Sequence, residues 1–176
     1  MQALFFLLDA VLGFFATLFL LRFLMQAMRV SFAGQLGSFV VSLTNWAVKP
    51  LRRVVPGFGG FDWASVVAAF ALELVLAGAL FAFSGREVED PGVAALMIAW
   101  FAVRALLRLL VFIVIAALIL QAVLSWINPY SPLAAPVGQL TRPMLAPIQR
   151  VLPLIAGVDL SPLVAILLLQ VVLMFL

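Results

Sequence analysis

The sequence predicts an all-α membrane protein: four transmembrane helices built as two parallel repeats, each a helix, a proline-rich elbow and a second helix. Three observations predict it. The mean hydropathy is +1.31 and only 10% of the 176 residues are charged, too little polar surface for a water-soluble domain. Four apolar runs are bounded by charge, proline or glycine, and backbone groups in lipid must bond within their own segment, which demands helices. The alternating pattern of a membrane barrel does not occur. Finally, the polar segment that begins at Leu43 returns at Leu140.

The first span covers residues 3–28. It has no basic leader and carries Asp9, so it reads as a membrane helix and not as a cleavable signal. The first elbow, 43–63, places Ala47, Val48, Leu51, Val54 and Val55 on one helical face and Asn45, Lys49, Arg52 and Arg53 on the other. That is the pattern of a short basic helix in the interface, its cations turned to lipid phosphates. Pro50 lies inside it and predicts a kink or restart, and Pro56 ends it. Asp62 then caps the second span or pairs with Arg53. The second span, 64–83, holds Glu73 at its middle and Ala64, Ala68, Ala71 and Gly78 for close helix packing.

Asp90–Pro91 reads as a cap opening a helix that reaches Ile127. Such a helix is about 55 Å long, more than a bilayer needs, so it protrudes or bends near Arg104, with 109–127 as the third span. The second elbow, 128–160, repeats the first: Met144, Leu145, Ile148, Val151 and Leu152 oppose Arg142, Gln149 and Arg150. Pro147 lies inside it and predicts a kink or restart, Pro153 stops it, and Asp159 caps the next helix or pairs with Arg150. Ser161 as N-cap and Pro162 at the first helical position launch the last span, 161–176.

The two elbows align without a gap over 43–74 and 140–171, every position offset by 97. Eleven of 32 pairs are identical, where composition alone gives roughly three. Thr44/Thr141, Pro50/Pro147, Arg53/Arg150, Pro56/Pro153, Gly60/Gly157 and Asp62/Asp159 are matches outside the apolar background. The expected organisation is a first repeat over 1–83, an extracytoplasmic linker over 84–92 and a second repeat over 93–176. Two copies of one orientation imply a pseudo-two-fold axis along the membrane normal.

The run from Ser125 to Gln170 closely resembles the YggT (YlmG) family of small membrane proteins. The residues that carry the resemblance are Ser125, Trp126, Asn128, Pro129, Thr141, Pro143, Pro147, Arg150, Pro153, Gly157, Asp159, Ser161 and Pro162. Arg142 and Gln149 depart from the family pattern, and the first repeat has Ala64–Ser65 in place of the Ser-Pro pair. The resemblance implies an envelope or organelle membrane protein, linked in different lineages to osmotic or ion homeostasis, to cell-division or nucleoid organisation, and to photosynthetic complex assembly.

Seven of the ten basic residues lie in the elbows and at the end of span 1: Arg22, Arg29, Lys49, Arg52, Arg53, Arg142 and Arg150. Positive charge stays inside, which places the elbows in the cytoplasm and both termini outside a plasma (inner) membrane. Asp9 corresponds to position 106, between Arg104 and Arg108, so the three are expected at one depth near the outer face as an ion pair. Glu73 and its counterpart Gln170 put a polar group at one site within the bilayer, where an unpaired charge costs at least ~2.5 kcal/mol. The expected partners of Glu73 are Arg22 as a cation, or Gln26 or Gln121 as hydrogen-bonding neighbours.

With no cysteine and no histidine, disulfides, thiolate zinc sites, iron–sulfur clusters and histidine-ligated haem are excluded. No phosphate loop, nucleophile elbow or HExxH motif occurs. The expectation is a non-enzyme without a cofactor and without nucleic-acid partners. Two readings stand. One is a membrane scaffold or assembly factor, a candidate homo-oligomer, whose elbows meet anionic headgroups or a cytoplasmic protein. The other is an oligomeric channel or transporter for monovalent ions or protons that uses Glu73 and the arginines.

Overall fold

A computed structural model of the chain describes residues 2–84, 90–152 and 159–176. It contains six helices: α1 Gln2–Ala27, α2 Gln35–Val54, α3 Trp63–Phe83, α4 Pro91–Ile127, α5 Ala134–Val151 and α6 Ser161–Phe175. Three of them, α1, α3 and α4, are long and apolar enough to cross a bilayer. The fourth expected span is shorter. Its 15 residues reach about 22 Å, less than the hydrocarbon thickness of ~30 Å.

α1 packs on α3, α3 on α4, and α4 on α5 and α6, with α2 laid against α1 and α3. Most of the core lies in the first half, where Phe19, Leu20 and Met25 of α1 meet Val40 and Val48 of α2 and Ala64, Ala68 and Ala69 of α3. The alanines leave room for α1 to approach the α3 backbone. A smaller cluster of Leu118, Leu145 and Ala165 holds α4, α5 and α6 together. Large apolar side chains such as Phe6, Leu96, Trp126 and Phe175 point outward, an arrangement suited to lipid as solvent. Asp9 shares a cavity with Arg104 and Arg108, while Leu24 and Met28 share another with Ile113 and Ala117. α1 and α4 therefore run in the same direction, and α2 and α5 lie at the same end of the bundle.

The elbows differ from the sequence expectation. Instead of short helices broken at proline, α2 begins at Gln35 and passes through Pro50 without interruption, and α5 passes through Pro143 and Pro147. Each proline removes one backbone hydrogen bond, but a buried stripe holds the helix across it. In α2 the stripe is Gly37, Val40, Thr44 and Val48; in α5 it is Val137, Leu140, Thr141 and Leu145. Gly37 is needed for this contact, since a Cβ there would lie 2.4 Å from the Phe32 Cα. The long helix is likewise unbroken at Arg104, running from Pro91 to Ile127, with the Asp90 carboxylate accepting from Gly92 N at 2.8 Å as the cap pattern predicts.

The turn into α2 is built by a helix stop. Arg29 N donates to Gln26 O and Val30 N to Met25 O, with Arg29 in the left-handed region at φ 55 and Val30 buried. This is a Schellman ending, with arginine where glycine is usual. Between α2 and α3 the chain reverses at Phe58–Phe61, where Gly59 and Gly60 have φ of 66 and 81 and Phe61 N donates to Phe58 O. Two adjacent positive φ values explain the glycine pair. Gln26 Nε2 donates to Gly60 O at 3.0 Å, and Phe23 stacks on Phe61 and Trp63, fixing this turn to the end of α1.

Candidate functional site

Two polar constellations stand out, at opposite ends of the spanning helices. At the elbow end, α1, α2 and α3 converge on Asp62, the residue before α3. Arg52 of α2 grips it with two hydrogen bonds, Nε to Oδ1 at 3.1 Å and Nη2 to Oδ2 at 2.6 Å. Arg22 of α1 approaches from the core, its Nε 3.3 Å from Oδ2. That contact brings the charges together without hydrogen-bond geometry. Ser65 Oγ adds a donor at 2.8 Å. Arg22 is tied further to α2, donating through Nη1 to Thr44 Oγ1 at 2.7 Å and Asn45 Oδ1 at 3.1 Å. Thr44 Oγ1 in turn donates to Val40 O at 2.6 Å.

Asp62 and Arg22 are almost wholly buried, whereas Arg52 is about half exposed. Burial pushes the Asp62 carboxyl up, but hydrogen bonds from Arg52 and Ser65 and the charges of Arg52 and Arg22 outweigh it. The carboxyl ends below the usual carboxylate range. The same hydrogen bond raises Arg52. Three helices are thus joined through one charged hub, and loss of any partner strands a buried charge.

Ninety-seven residues later, the second half has a neutral counterpart. Gln149 Nε2 donates to Asp159 Oδ2 at 2.8 Å, and Asp159 Oδ1 accepts from Ser161 N at 2.9 Å. Burial pushes the Asp159 carboxyl up, but the hydrogen bonds from Ser161 and Gln149 together outweigh it and leave the group below its ordinary value. Thr141 donates to Val137 O and meets the Gln121 side-chain oxygen on α4.

The other constellation is a cavity of about 530 Å³ between α1, α3 and α4, at the opposite end. Asp9, Glu73, Arg104 and Arg108 line it together with Leu76, Leu80, Phe81 and Phe101. Glu73 is 5% exposed. Arg104 Nε donates to the Leu176 carbonyl oxygen.

Several expectations are corrected here. Arg22 is not the cation of Glu73; it lies an end away, held by Asp62, Thr44 and Asn45. Gln26 and Gln121 do not serve Glu73 either, being occupied by Gly60 and Thr141. Gln170 is exposed on α6. Asp9, Arg104 and Arg108 do meet at one depth, but among the described residues no acid–base nitrogen–oxygen pair there comes within 4.0 Å. Asp62 takes Arg52, not Arg53, and Asp159 takes Gln149, not Arg150. Arg52 is therefore committed to the hub and does not turn freely to lipid. α6 starts at Ser161 with Leu160 before it, so Pro162 falls second, and Asp159 supplies the cap. Ser161 Oγ is buried without a partner among the described residues.

Lys49, Arg53, Arg142 and Arg150 are exposed on α2 and α5, as are Pro50, Pro143 and Pro147, and Pro56 is exposed just beyond the end of α2. Pro153 and Gly157 lie outside the described residues. Asn45 and Ser65 are hub members that sequence reasoning missed. A usable signal was present: where Arg52 becomes Gln149, Arg22 becomes Ile119 and Ser65 becomes Pro162, so the hub's cations and its hydroxyl are lost together. Among the described residues no three acidic side chains gather as a metal-holding group.

A family model described as CCB3/YggT matches residues 1–83 and 100–176. An uncharacterized protein of Pseudomonas aeruginosa is 36% identical over 155 residues, covering 87% of this chain and 77% of its own length. The uncharacterized protein YggT of Escherichia coli K12 is 35% identical over 174 residues, 98% of this chain and 88% of its own. A Vibrio alginolyticus protein described as lying in the proC 3′ region is 32% identical over 165 residues, 93% and 88% of the two chains. No solved structure matches.

Proposed function

The chain belongs to the CCB3/YggT family, and from that premise we propose that it is a non-enzymatic scaffold or assembly factor of the inner membrane. Its working surface is the elbow end, which faces the cytoplasm while the termini lie outside. The observation that carries this reading is the division of labour among the elbow cations. Arg22 and Arg52 are consumed in fixing α1, α2 and α3 to Asp62. Lys49, Arg53, Arg142 and Arg150 remain exposed on two helices at one end of the bundle. Rigid presentation of a basic face suits anionic headgroups, at roughly 1 kcal/mol per charge near the surface. Arg53 and Arg150 also sit in the last turns of α2 and α5, where the helix dipole favours cations.

The division into two repeats, 1–83 and 93–176, is part of the proposal. It is supported by buried positions that recur at the offset of 97: Val40 and Val137, Thr44 and Thr141, Val48 and Leu145, Ala64 and Ser161, Ala68 and Ala165. The wider setting inferred from the family resemblance is osmotic and ion homeostasis or division organisation, with a homo-oligomer as the working unit.

The test neutralises Lys49, Arg53, Arg142 and Arg150 together, leaving the hub untouched, and measures retention of anionic lipid by native mass spectrometry. Retention is expected to fall several-fold with the thermal midpoint unchanged. Unchanged retention overturns the lipid assignment and points to a protein partner on this face. Conductance or cation flux from purified protein in liposomes overturns the scaffold reading in favour of a channel.

A further inference from the structure

We propose that the cavity at the end opposite the elbows is a binding site for a zwitterionic phospholipid headgroup, one that carries a phosphate beside a primary ammonium. The cavity contains two groups of each sign. Arg104 and Arg108 stand one turn apart on α4, and Asp9 of α1 and Glu73 of α3 lie on the walls. Charges of opposite sign that share a low-dielectric cavity lower their energy by direct contact. Here they do not make it: the ion pairs among the described residues all lie at Asp62, and none joins Asp9 or Glu73 to Arg104 or Arg108 within 4.0 Å. Glu73 is 5% exposed, lines the cavity, and has no hydrogen bond or ion pair among the described residues.

A buried carboxyl without a partner faces two arginines across a gap with opposite signs on its sides; Arg104 spends its Nε on the Leu176 carbonyl, which leaves its terminal nitrogens and the Arg108 guanidinium for a ligand. A ligand with both signs fills such a gap; a simple anion or cation leaves half of it uncompensated. The phosphate suits the arginine pair, whose planar donors match tetrahedral oxyanions. A primary ammonium offers up to three donors to Asp9 and Glu73. Leu80 and Phe101 complete an apolar wall that a free zwitterion would not use but an acyl chain would. A volume of about 530 Å³ lies within the usual range of ligand sites.

The experiment is lipid retention by the full-length protein, purified in detergent and offered phosphatidylethanolamine, phosphatidylcholine or phosphatidylglycerol. The wild type is expected to retain phosphatidylethanolamine roughly tenfold better than phosphatidylglycerol, with phosphatidylcholine lower because its quaternary nitrogen has no N–H to donate. Asp9→Asn and Glu73→Gln should bring phosphatidylethanolamine down to the phosphatidylglycerol level. Arg108→Gln should lower retention of all three, and Arg108→Lys should restore most of it. Asp9 is exposed and near the start of α1, so its variant reports even where Glu73→Gln disturbs packing. Equal retention of the three lipids by the wild type, or an unchanged preference in Asp9→Asn, overturns the proposal. Displacement of bound lipid by an equimolar soluble O-phosphoethanolamine overturns the lipid as source and assigns the cavity to a free zwitterion.

Discussion

Asp62 and Asp159 stand 97 residues apart at the same turn of the two halves, and the halves use them differently. Asp62 is buried and binds two arginines and a serine, joining α1, α2 and α3. Asp159 is exposed, accepts from one glutamine, and caps α6. With arginine at 22 the first half encloses charge in its core; with isoleucine at 119 the second half has only an exposed apolar side chain at that position. Beside Ile119, in the second half, a cavity of about 820 Å³ opens between α4 and α6. The turn before α3 is therefore closed around charge, whereas the turn before α6 is neutral and borders an open cavity. The difference is that both cations of the first half, Arg22 and Arg52, are replaced by Ile119 and Gln149.

The largest expected effect separates the two aspartates. Asp62→Ala leaves Arg22 buried without its counter-ion and is expected to lose about 3–5 kcal/mol of stability. Asp159→Ala removes a cap and an amide contact and should cost about 1 kcal/mol. Equilibrium unfolding in mixed micelles measures both, and equal losses would break the comparison.

Titration should show the same asymmetry. Because Asp62 is depressed in the folded state, its contribution is fully present above the ordinary carboxylate value of about 3.9 and disappears as pH falls through its lower folded value. Stability should hold from neutral pH down to about 4 and then drop. In Asp62→Asn the part of that drop due to Asp62 should vanish. An acid limb of undiminished size in the variant would mean that other carboxyls control it.

Thr44→Val should cost about 1.5–3 kcal/mol because Thr44 accepts from a charged guanidinium, against about 1 kcal/mol for Thr141→Val, whose partners are neutral. A double-mutant cycle of Thr44 with Arg22 should show coupling. Additive losses would remove the threonine from the hub. The smallest contrast is steric. Gly37→Ala must push aside the Phe32 backbone and should cost about 1–3 kcal/mol, whereas the position 97 later is already Ala134. Ala134→Gly should then cost only about 0.5–1 kcal/mol, through helix propensity.

The sequence made the spans of α1, α3 and α4 legible because uninterrupted apolar runs bounded by polar residues leave one solution in lipid. The Asp90–Pro91 start was legible for a similar reason: cap and proline act within one turn. Partner choice was harder to read. Arg52 and Arg53 are about 100° apart on a helix, and only the rotation of α2, set by burial of Val40, Thr44 and Val48, turns the first inward. The continuity of α2 and α5 was missed because proline is a strong local signal, and the stripe that overrides it is tertiary. The cavity drew Asp9, Arg104 and Arg108 to one depth as their spacing implied, but no sequence pattern tells whether such charges touch.

If α2 and α5 lie in the headgroup layer as proposed, the prolines they tolerate set a water line. Pro50, Pro143 and Pro147 have no N–H, so the carbonyls of Trp46, Gln139 and Pro143 lose the donor that a regular helix would give them. In hydrocarbon such a carbonyl has nothing to bond, at a cost of several kcal/mol. At the headgroups, water supplies the missing donor. All three residues are exposed, so each elbow helix can sink only until its proline-relieved carbonyls begin to dry. On that placement, three residues that look like defects in a helix would act as ballast marks for the depth of the basic face.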